Sequence, residues 1–138
     1  KENTERIAKA EGIVEFESKI FKKINKMKTR KGSLENIAIL AGIMGAKETS
    51  RLIPLCHNIN INYINIDIKK IEKSNSLKII SKIKTNDKTG VEMEALVAVS
   101  ISCLTIYDIC KHLSKSIKIK NIRLISKSGG KSGFFEEK

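Results

Sequence analysis

The sequence is poor in the residues that build disulfide frameworks and metal sites. Its three cysteines are an odd number and include no Cys-x-x-Cys pair, and its two histidines, His57 and His112, are far apart. These features indicate a reducing compartment and argue against a disulfide framework or a zinc site. Cys103 and Cys110 are seven residues apart, so we expect them to lie buried on one face of a helix.

Aromatic residues are also scarce, with four phenylalanines, two tyrosines and no tryptophan. Base-stacking surfaces interleave aromatic rings with basic residues, and no segment of this sequence does so. The formal net charge of +12 still leaves a basic nucleic-acid-binding module as an open alternative. The abundance of Lys, Ile and Asn is typical of an AT-rich genome, and that bias together with a small polyanionic substrate explains the charge at least as well.

Long apolar runs and several common catalytic motifs are absent. No uninterrupted run approaches the roughly 18 apolar residues that span a bilayer, so we expect a cytoplasmic protein. The chain begins at Lys1 rather than at a methionine, and a targeting segment before it stays an open alternative. No Gly-x-Ser-x-Gly elbow supports a serine hydrolase. Gly130-Lys131-Ser132 is not a phosphate loop, because Ile125 stands where that motif needs a glycine.

Strand and helix periods alternate along the chain, whose length suits a single domain covering residues 1–138. The pattern predicts an α+β fold, an antiparallel sheet with helices packed on one face. The glycine-rich tail at 128–133 is expected to be flexible. The predicted elements are a strand at 6–16, helices at 18–26 and 33–52, a hairpin of strands at 61–69 and 77–85, a helix at 91–113 and a strand at 117–125.

The longest predicted helix carries more charged residues than a core helix needs. Glu92 and Glu94 stand in its first turn, and Asp108 and Lys111 lie three residues apart on one face. The plainest interpretation of Asp108 and Lys111 is a surface ion pair. A basic, glycine-rich tail after this helix can surround an anion with amide and ammonium groups. The residues alone therefore indicate a small basic protein that binds an anion.

Three longer blocks carry a more specific signal. They are Ala41–Lys47 continuing to Leu52–His57, Lys88–Leu96 continuing to Leu104–Lys111, and Arg123–Leu124 continuing to Lys127–Gly133. In this order and spacing they resemble the cyclic pyranopterin monophosphate synthase family of molybdenum cofactor biosynthesis. With Arg6 and Lys31-Gly32 the resemblance spans nearly the whole chain. The sequence departs from the family at Ser33, where an acidic residue is usual, and at Asn58, where proline is usual.

The resemblance implies a ferredoxin-like α+β fold and a homohexamer built as a trimer of dimers. It implies an enzyme that converts guanosine triphosphate, cyclised between base and ribose, into cyclic pyranopterin monophosphate and diphosphate. It implies no cofactor, and it leaves open whether magnesium accompanies the triphosphate. Neither nucleic acid nor membrane is an implied partner. A related oligomerisation domain that has lost catalysis is a third alternative, which Ser33 and Asn58 would allow.

The resemblance also assigns roles to individual residues. Lys111 and Lys31 are the expected general acid–base pair. Desolvation and the neighbouring cations Lys47 and Arg6 would lower the lysine pKa. Asp108 would orient Lys111 or act as a base. Arg6 resembles an arginine supplied across a subunit interface. The implied substrate-binding residues are Leu55, Cys56, His57, Met93, Glu94, Glu92, Lys47, Arg6, Lys127 and Lys131.

Overall fold

The computed structural model describes residues 3–24, 28–29, 32–130 and 133–137. Two predicted site residues, Lys31 and Lys131, lie outside these ranges. A short 3₁₀ helix at Glu72–Ser74 joins the fourth and fifth strands. The other elements, in chain order, are β1 Thr4–Glu15, α1 Ser18–Ile24, β2 Lys28–Thr29, β3 Gly32–Ser33, α2 Leu34–Lys47, α3 Thr49–Leu52, β4 Ile61–Ile71, β5 Ser76–Asp87, α4 Glu92–Cys110, β6 Lys118–Ser128 and β7 Phe135–Glu136.

Five strands form one antiparallel sheet in the order β4-β5-β1-β6-β7, and β2 pairs with β3 separately. The long strand β1 is central, with Thr4 opposite Asp87 and Glu15 opposite Ser76 of β5. Strands β1, β4, β5 and β6, with α2 and α4 as the connecting helices, give the split β-α-β arrangement of ferredoxin-like folds. The predicted α+β class and antiparallel sheet are confirmed.

The core lies between this sheet and α4. Ala8, Ala10 and Val14 alternate along β1 and are fully buried, as a strand with one covered face requires. On α4 the predicted stripe of Val99, Cys103, Ile106 and Cys110 is fully buried against them. The predicted burial of both cysteines is confirmed. Burial raises the pKa of Cys103 to about 12 and that of Cys110 to about 11, which makes both thiols poor nucleophiles.

Helix α4 is more apolar than its interrupted sequence pattern suggests. By length and composition alone it could cross a membrane, although charged and hydroxyl residues interrupt its apolar run. Half of its most apolar window is buried inside the domain. A helix that is apolar on most sides is also what the centre of a small core requires. The apolarity of α4 is therefore accounted for by its place in the fold.

Helix α2 packs against α4 through small residues, whereas the large residues of its sequence pattern, Leu40 and Met44, are each 59% exposed. A Cβ atom at Gly42 would overlap the side chains of Ser102 and Ile66, so glycine is required for this close approach. Ser102 Oγ donates to the Ala38 carbonyl across the same contact at 2.7 Å. Close packing thus favours small residues on the buried face of α2, which are Ala38, Gly42, Gly45 and Ala46.

The predicted helix at 33–52 is interrupted. Ser33 caps its start, because its Oγ accepts a hydrogen bond from the Asn36 amide at 3.1 Å. The helix ends at Lys47, and Thr49 begins the short helix α3. Thr49 Oγ1 donates to the Ala46 carbonyl at 2.9 Å, and this local bond replaces a continuing helical turn.

The end of the chain is more regular than its composition predicts. Strand β6 continues to Ser128, and β7 returns to pair Phe135 with Lys127 and Glu136 with Ser126. Gly129 and Gly130 have φ of 99° and 73°, values that glycine adopts without strain. Of the tail expected to be flexible, Ser128 belongs to β6, Gly129, Gly130 and Gly133 lie outside the strands, and Lys131 and Ser132 lie outside the described residues, so its flexibility stays a prediction.

Candidate active site

A cavity of about 320 Å³ lies between the segment after α3 and the first turn of α4. We call it the large cavity. Pro54 terminates the preceding helical segment, and Thr89-Gly90 leads into α4, so both walls are set by the ends of helices. Six residues assigned by the resemblance line it together, which are Leu55, Cys56, His57, Glu92, Met93 and Glu94.

Leu55 occupies this wall in an unusual conformation. Its φ of 64° lies in the left-handed region, which is a genuine outlier for a bulky residue, and its side chain is fully exposed. Both features cost free energy in an isolated chain. Strained residues of this kind are concentrated at ligand-binding sites, where the surroundings hold them in place.

A second cavity, of about 150 Å³, adjoins the first and is lined by Arg6, Lys127, Ser128 and Gly129. We call it the Arg6 cavity. Arg6 Nη2 donates to the Lys88 carbonyl at 2.9 Å, while its buried Nε has no hydrogen-bond partner within the described part of the chain. A Cβ atom at Gly130 would overlap the Arg6 guanidinium, so glycine is needed for this close contact. A buried, unsatisfied guanidinium N–H suits an anionic ligand.

The two cavities share three residues, Thr89, Gly90 and Glu92. Glu92 Oε2 lies 3.6 Å from Lys127 Nζ, so the shared wall carries an ion pair that is about one-third exposed on both sides. A ligand with a polar ring and a polyanionic chain could therefore occupy both cavities at once, with its charged part beside Arg6.

A third cavity, also of about 150 Å³, lies on the other side of Glu94 and is lined by Lys47, Ser50 and Asn58. We call it the Lys47 cavity. Glu94 lines this cavity and the large cavity, yet it is only 3% exposed. Burial is the main cause that raises the Glu94 pKa, and the nearby charge of Glu92 raises it further. Burial, followed by the charge of Glu94, also raises the pKa of Cys56.

Asp108 and Lys111 lie elsewhere. Their carboxylate and ammonium groups form an ion pair at 2.8 Å, and both side chains are more than 60% exposed. Asp108 follows Glu92 by sixteen residues on α4, which corresponds to about 24 Å along the helix axis. One chain therefore does not bring Asp108 and Lys111 together with the three cavities.

The pKa of Lys111 also differs from expectation. The expected decrease required desolvation and the nearby cations Lys47 and Arg6. In the single chain the hydrogen bond to Asp108, with its charge, instead raises the Lys111 pKa, and the side chain is open to solvent. Lys111 is therefore held protonated unless another surface covers it.

Several residues of these cavities were not predicted from the sequence. Ser50 and Asn58 line the Lys47 cavity, and Thr89 and Gly90 line two cavities at once. The only sequence signal for Thr89 and Gly90 was their place inside a motif block directly before a helix. Within the described residues, no group of three or more His, Cys, Asp or Glu side chains is arranged to hold a metal ion.

Comparison with known proteins shows the family of this chain. The sequence profile of the MoaC family matches residues 1–130. The chain belongs to the MoaC family. It is 49% identical over 138 residues to the cyclic pyranopterin monophosphate synthase of Helicobacter pylori (strain Shi470), covering 100% of this chain and 87% of the relative. The protein of that name from Syntrophomonas wolfei is 46% identical over 133 residues, covering 96% of this chain and 85% of the relative.

A longer relative matches the chain over part of its own length. Molybdenum cofactor biosynthesis protein 1 of Drosophila melanogaster is 44% identical over 137 residues, which cover 99% of this chain and 24% of that protein. The predicted resemblance is confirmed by these matches.

Proposed function

We propose that the chain is a cyclic pyranopterin monophosphate synthase, which converts cyclised guanosine triphosphate into cyclic pyranopterin monophosphate and diphosphate. Its family and its relatives make it an enzyme of molybdenum cofactor biosynthesis. The observation that carries the finer proposal is the adjacency of the large cavity and the Arg6 cavity across Glu92. One accepts a polar ring and the other an anion, and the substrate has both parts in one molecule.

The large cavity is the proposed site for the guanine-derived ring. Glu92 and Glu94 can accept hydrogen bonds from amino groups, and Met93, which is 37% exposed on the same turn, can pack on the ring face. Cys56 and His57 close the opposite wall. A cavity of this size, mostly preformed and carrying a few converging polar groups, is typical of small-molecule sites.

The Arg6 cavity is the proposed site for the triphosphate. Arg6 and Lys127 supply positive charge there. Lys47, whose cavity borders the large cavity, is proposed as a further contact of the triphosphate. Expulsion of diphosphate develops negative charge, which preorganised cations stabilise in the transition state. Lys131 is proposed for the same role, and magnesium bound to the triphosphate would be part of the substrate.

Ring opening and closure require repeated proton transfers, and we assign these to Lys111 and Lys31, with Asp108 orienting Lys111. Because Asp108 and Lys111 lie about 24 Å or more from Glu92 within one chain, the proposed site takes them from a second chain. The exposed apolar residues Leu40, Met44 and Leu104 support subunit contacts, since monomers rarely expose clustered large apolar side chains. A homohexamer built as a trimer of dimers, working in the cytoplasm, is the proposed form.

The experiment that tests this function is incubation of the protein with the cyclised nucleotide, followed by detection of diphosphate and of the fluorescent pterin obtained on oxidation. Release of both supports the proposal. Absence of diphosphate, from protein that is folded and assembled, would contradict it.

A further inference from the structure

Glu94 is the buried titratable group for which the proposed reaction has the least explanation. Recognition of the ring alone does not account for a carboxyl that is only 3% exposed, because burial disfavours its charged form. Its Oε1 has no hydrogen-bond partner within the described residues. Buried polar atoms in folded proteins nearly always have partners, so an exception of this kind indicates a ligand, a water molecule or a functional role.

The position of Glu94 is as unusual as its burial. Glu94 and Ile59 both line the large cavity and the Lys47 cavity, and Glu94 is the one of the two that can carry a proton. The Lys47 cavity is open to solvent, holds several water molecules by volume, and has Lys47, Ser50 and Asn58 as polar neighbours for them. An apolar floor of Ile59, Ile61 and Ile64 completes it.

We propose that Glu94 exchanges protons with the substrate ring in the large cavity, and that the Lys47 cavity is the water channel through which Glu94 is recharged. The inference rests on the proposed function, because it assigns a proton donor to that reaction. The Oε1–H bond breaks as the proton passes to a ring nitrogen or carbonyl oxygen. The resulting carboxylate then takes a proton from a water molecule in the Lys47 cavity, and that water is restored by a proton from bulk solvent.

The charged surroundings fit this cycle. From α4 the charge of Glu92 raises the pKa of Glu94, after the larger effect of burial, so the carboxyl retains its proton to higher pH than an exposed glutamate. From the other walls, Cys56 and His57 face it across the large cavity and Lys47 faces it across the smaller one. The Lys47 ammonium faces Glu94 from the Lys47 cavity and would stabilise the transient carboxylate.

The protonation of Glu94 can be measured without turnover. Because the folded-state pKa is raised, wild-type protein loses stability as pH rises from the ordinary glutamate value through the raised one. Glu94→Gln removes that loss, so its melting temperature relative to wild type should increase with pH and then level off. Glu48→Gln, at an exposed glutamate that lines none of the three cavities, is the control and should not reproduce the trend. A parallel pH dependence of wild type and Glu94→Gln would overturn the proposal.

The route of the proton is tested by diphosphate release. Glu94→Gln should lower turnover by roughly 10²–10⁴-fold, and formate should partly restore activity to Glu94→Ala by occupying the vacated space. Ser50→Leu fills the Lys47 cavity. Introduced alone it should lower turnover, and combined with Glu94→Ala it should abolish the rescue by formate. Arg51→Leu, at the neighbouring residue whose side chain is 83% exposed, should do neither.

The possible outcomes separate this inference from the proposed function. Wild-type protein that releases no diphosphate contradicts the function, while the melting curves still decide whether Glu94 holds a proton. An active wild type with a fully active Glu94→Gln variant leaves the function standing and overturns the role of Glu94. Rescue that persists with Ser50→Leu refutes the Lys47 cavity as the channel.

Discussion

A site shared between two chains makes a quantitative prediction about mixed oligomers. Arg6 and Glu92 belong to one group of residues, and Asp108 and Lys111 belong to another about 24 Å away on the same chain. If a working site takes the first group from one chain and the second from its neighbour, Arg6→Ala and Lys111→Ala chains are defective in different halves. Each variant alone should be nearly inactive.

The magnitude of recovery follows from counting chains. After equal amounts are mixed and reassembled, a given site receives an intact Arg6 with one-half probability and an intact Lys111 with one-half probability. About a quarter of the sites are then complete, so turnover should return to about 25% of wild type, whichever symmetry the assembly has. The assay is diphosphate release after dissociation and reassembly, with mass spectrometry of the intact oligomer to verify that the chains mixed.

A matched control uses two variants of the same group. Asp108→Asn and Lys111→Ala affect residues that form one ion pair within a chain, so their mixture should give no recovery. Mixed oligomers of Arg6→Ala and Lys111→Ala that stay inactive would refute the shared site, as would an equal gain in the control mixture.

Four further predictions concern substitutions of single residues. Lys111→Ala should lower turnover by roughly 10²–10⁴-fold and leave assembly unchanged. Asp108→Asn removes the charged hydrogen-bond partner that raises the Lys111 pKa. The basic limb of its pH–rate profile should therefore move to lower pH. Lys47→Ala should weaken guanosine triphosphate binding by roughly 10- to 100-fold in a thermal-shift titration. A nucleic-acid-binding surface would instead bind an oligonucleotide with an affinity that falls steeply with salt and that this variant barely changes. Leu55→Gly should leave the melting temperature unchanged or higher, since relief of a left-handed conformation worth about 1–2 kcal/mol exceeds the cost of a glycine. The same variant should raise KM. A lower melting temperature would mean that Leu55 is not strained.

Much of the fold was predictable because β1, the hairpin and α4 each repeat their apolar residues at a clear period. The buried face of α2 was not predictable in the same way, since close packing at Gly42 and Ser102 favours small residues and leaves Leu40 and Met44 outside. Which large residues face inward depends on the neighbouring helix, and a sequence period does not contain that information.

The candidate site was also only partly predictable from the sequence. Apart from Ile59, the residues of the large cavity come from two motif blocks, and six residues that the resemblance assigned lie together there. The separation of Asp108 and Lys111 from them follows from the rigid length of α4, and the sequence pattern of the helix already contained it. The contact of Arg6 with Lys88 and Gly130 joins parts of the chain more than 80 residues apart, which no local pattern predicts.

The uninterrupted course of α4 makes its length a functional quantity. Glu94 and Lys111 stand near opposite ends of one helix, so every residue between them fixes both a distance and an angle. One residue inserted between them would shift the far end by about 1.5 Å and rotate it by about 100°. If the proposed oligomer shares its sites between chains, that error would be repeated at every site, and a single defective chain would disable two sites. The spacing between the blocks at 88–96 and 104–111 is therefore under a constraint that the chemistry of no individual residue reveals.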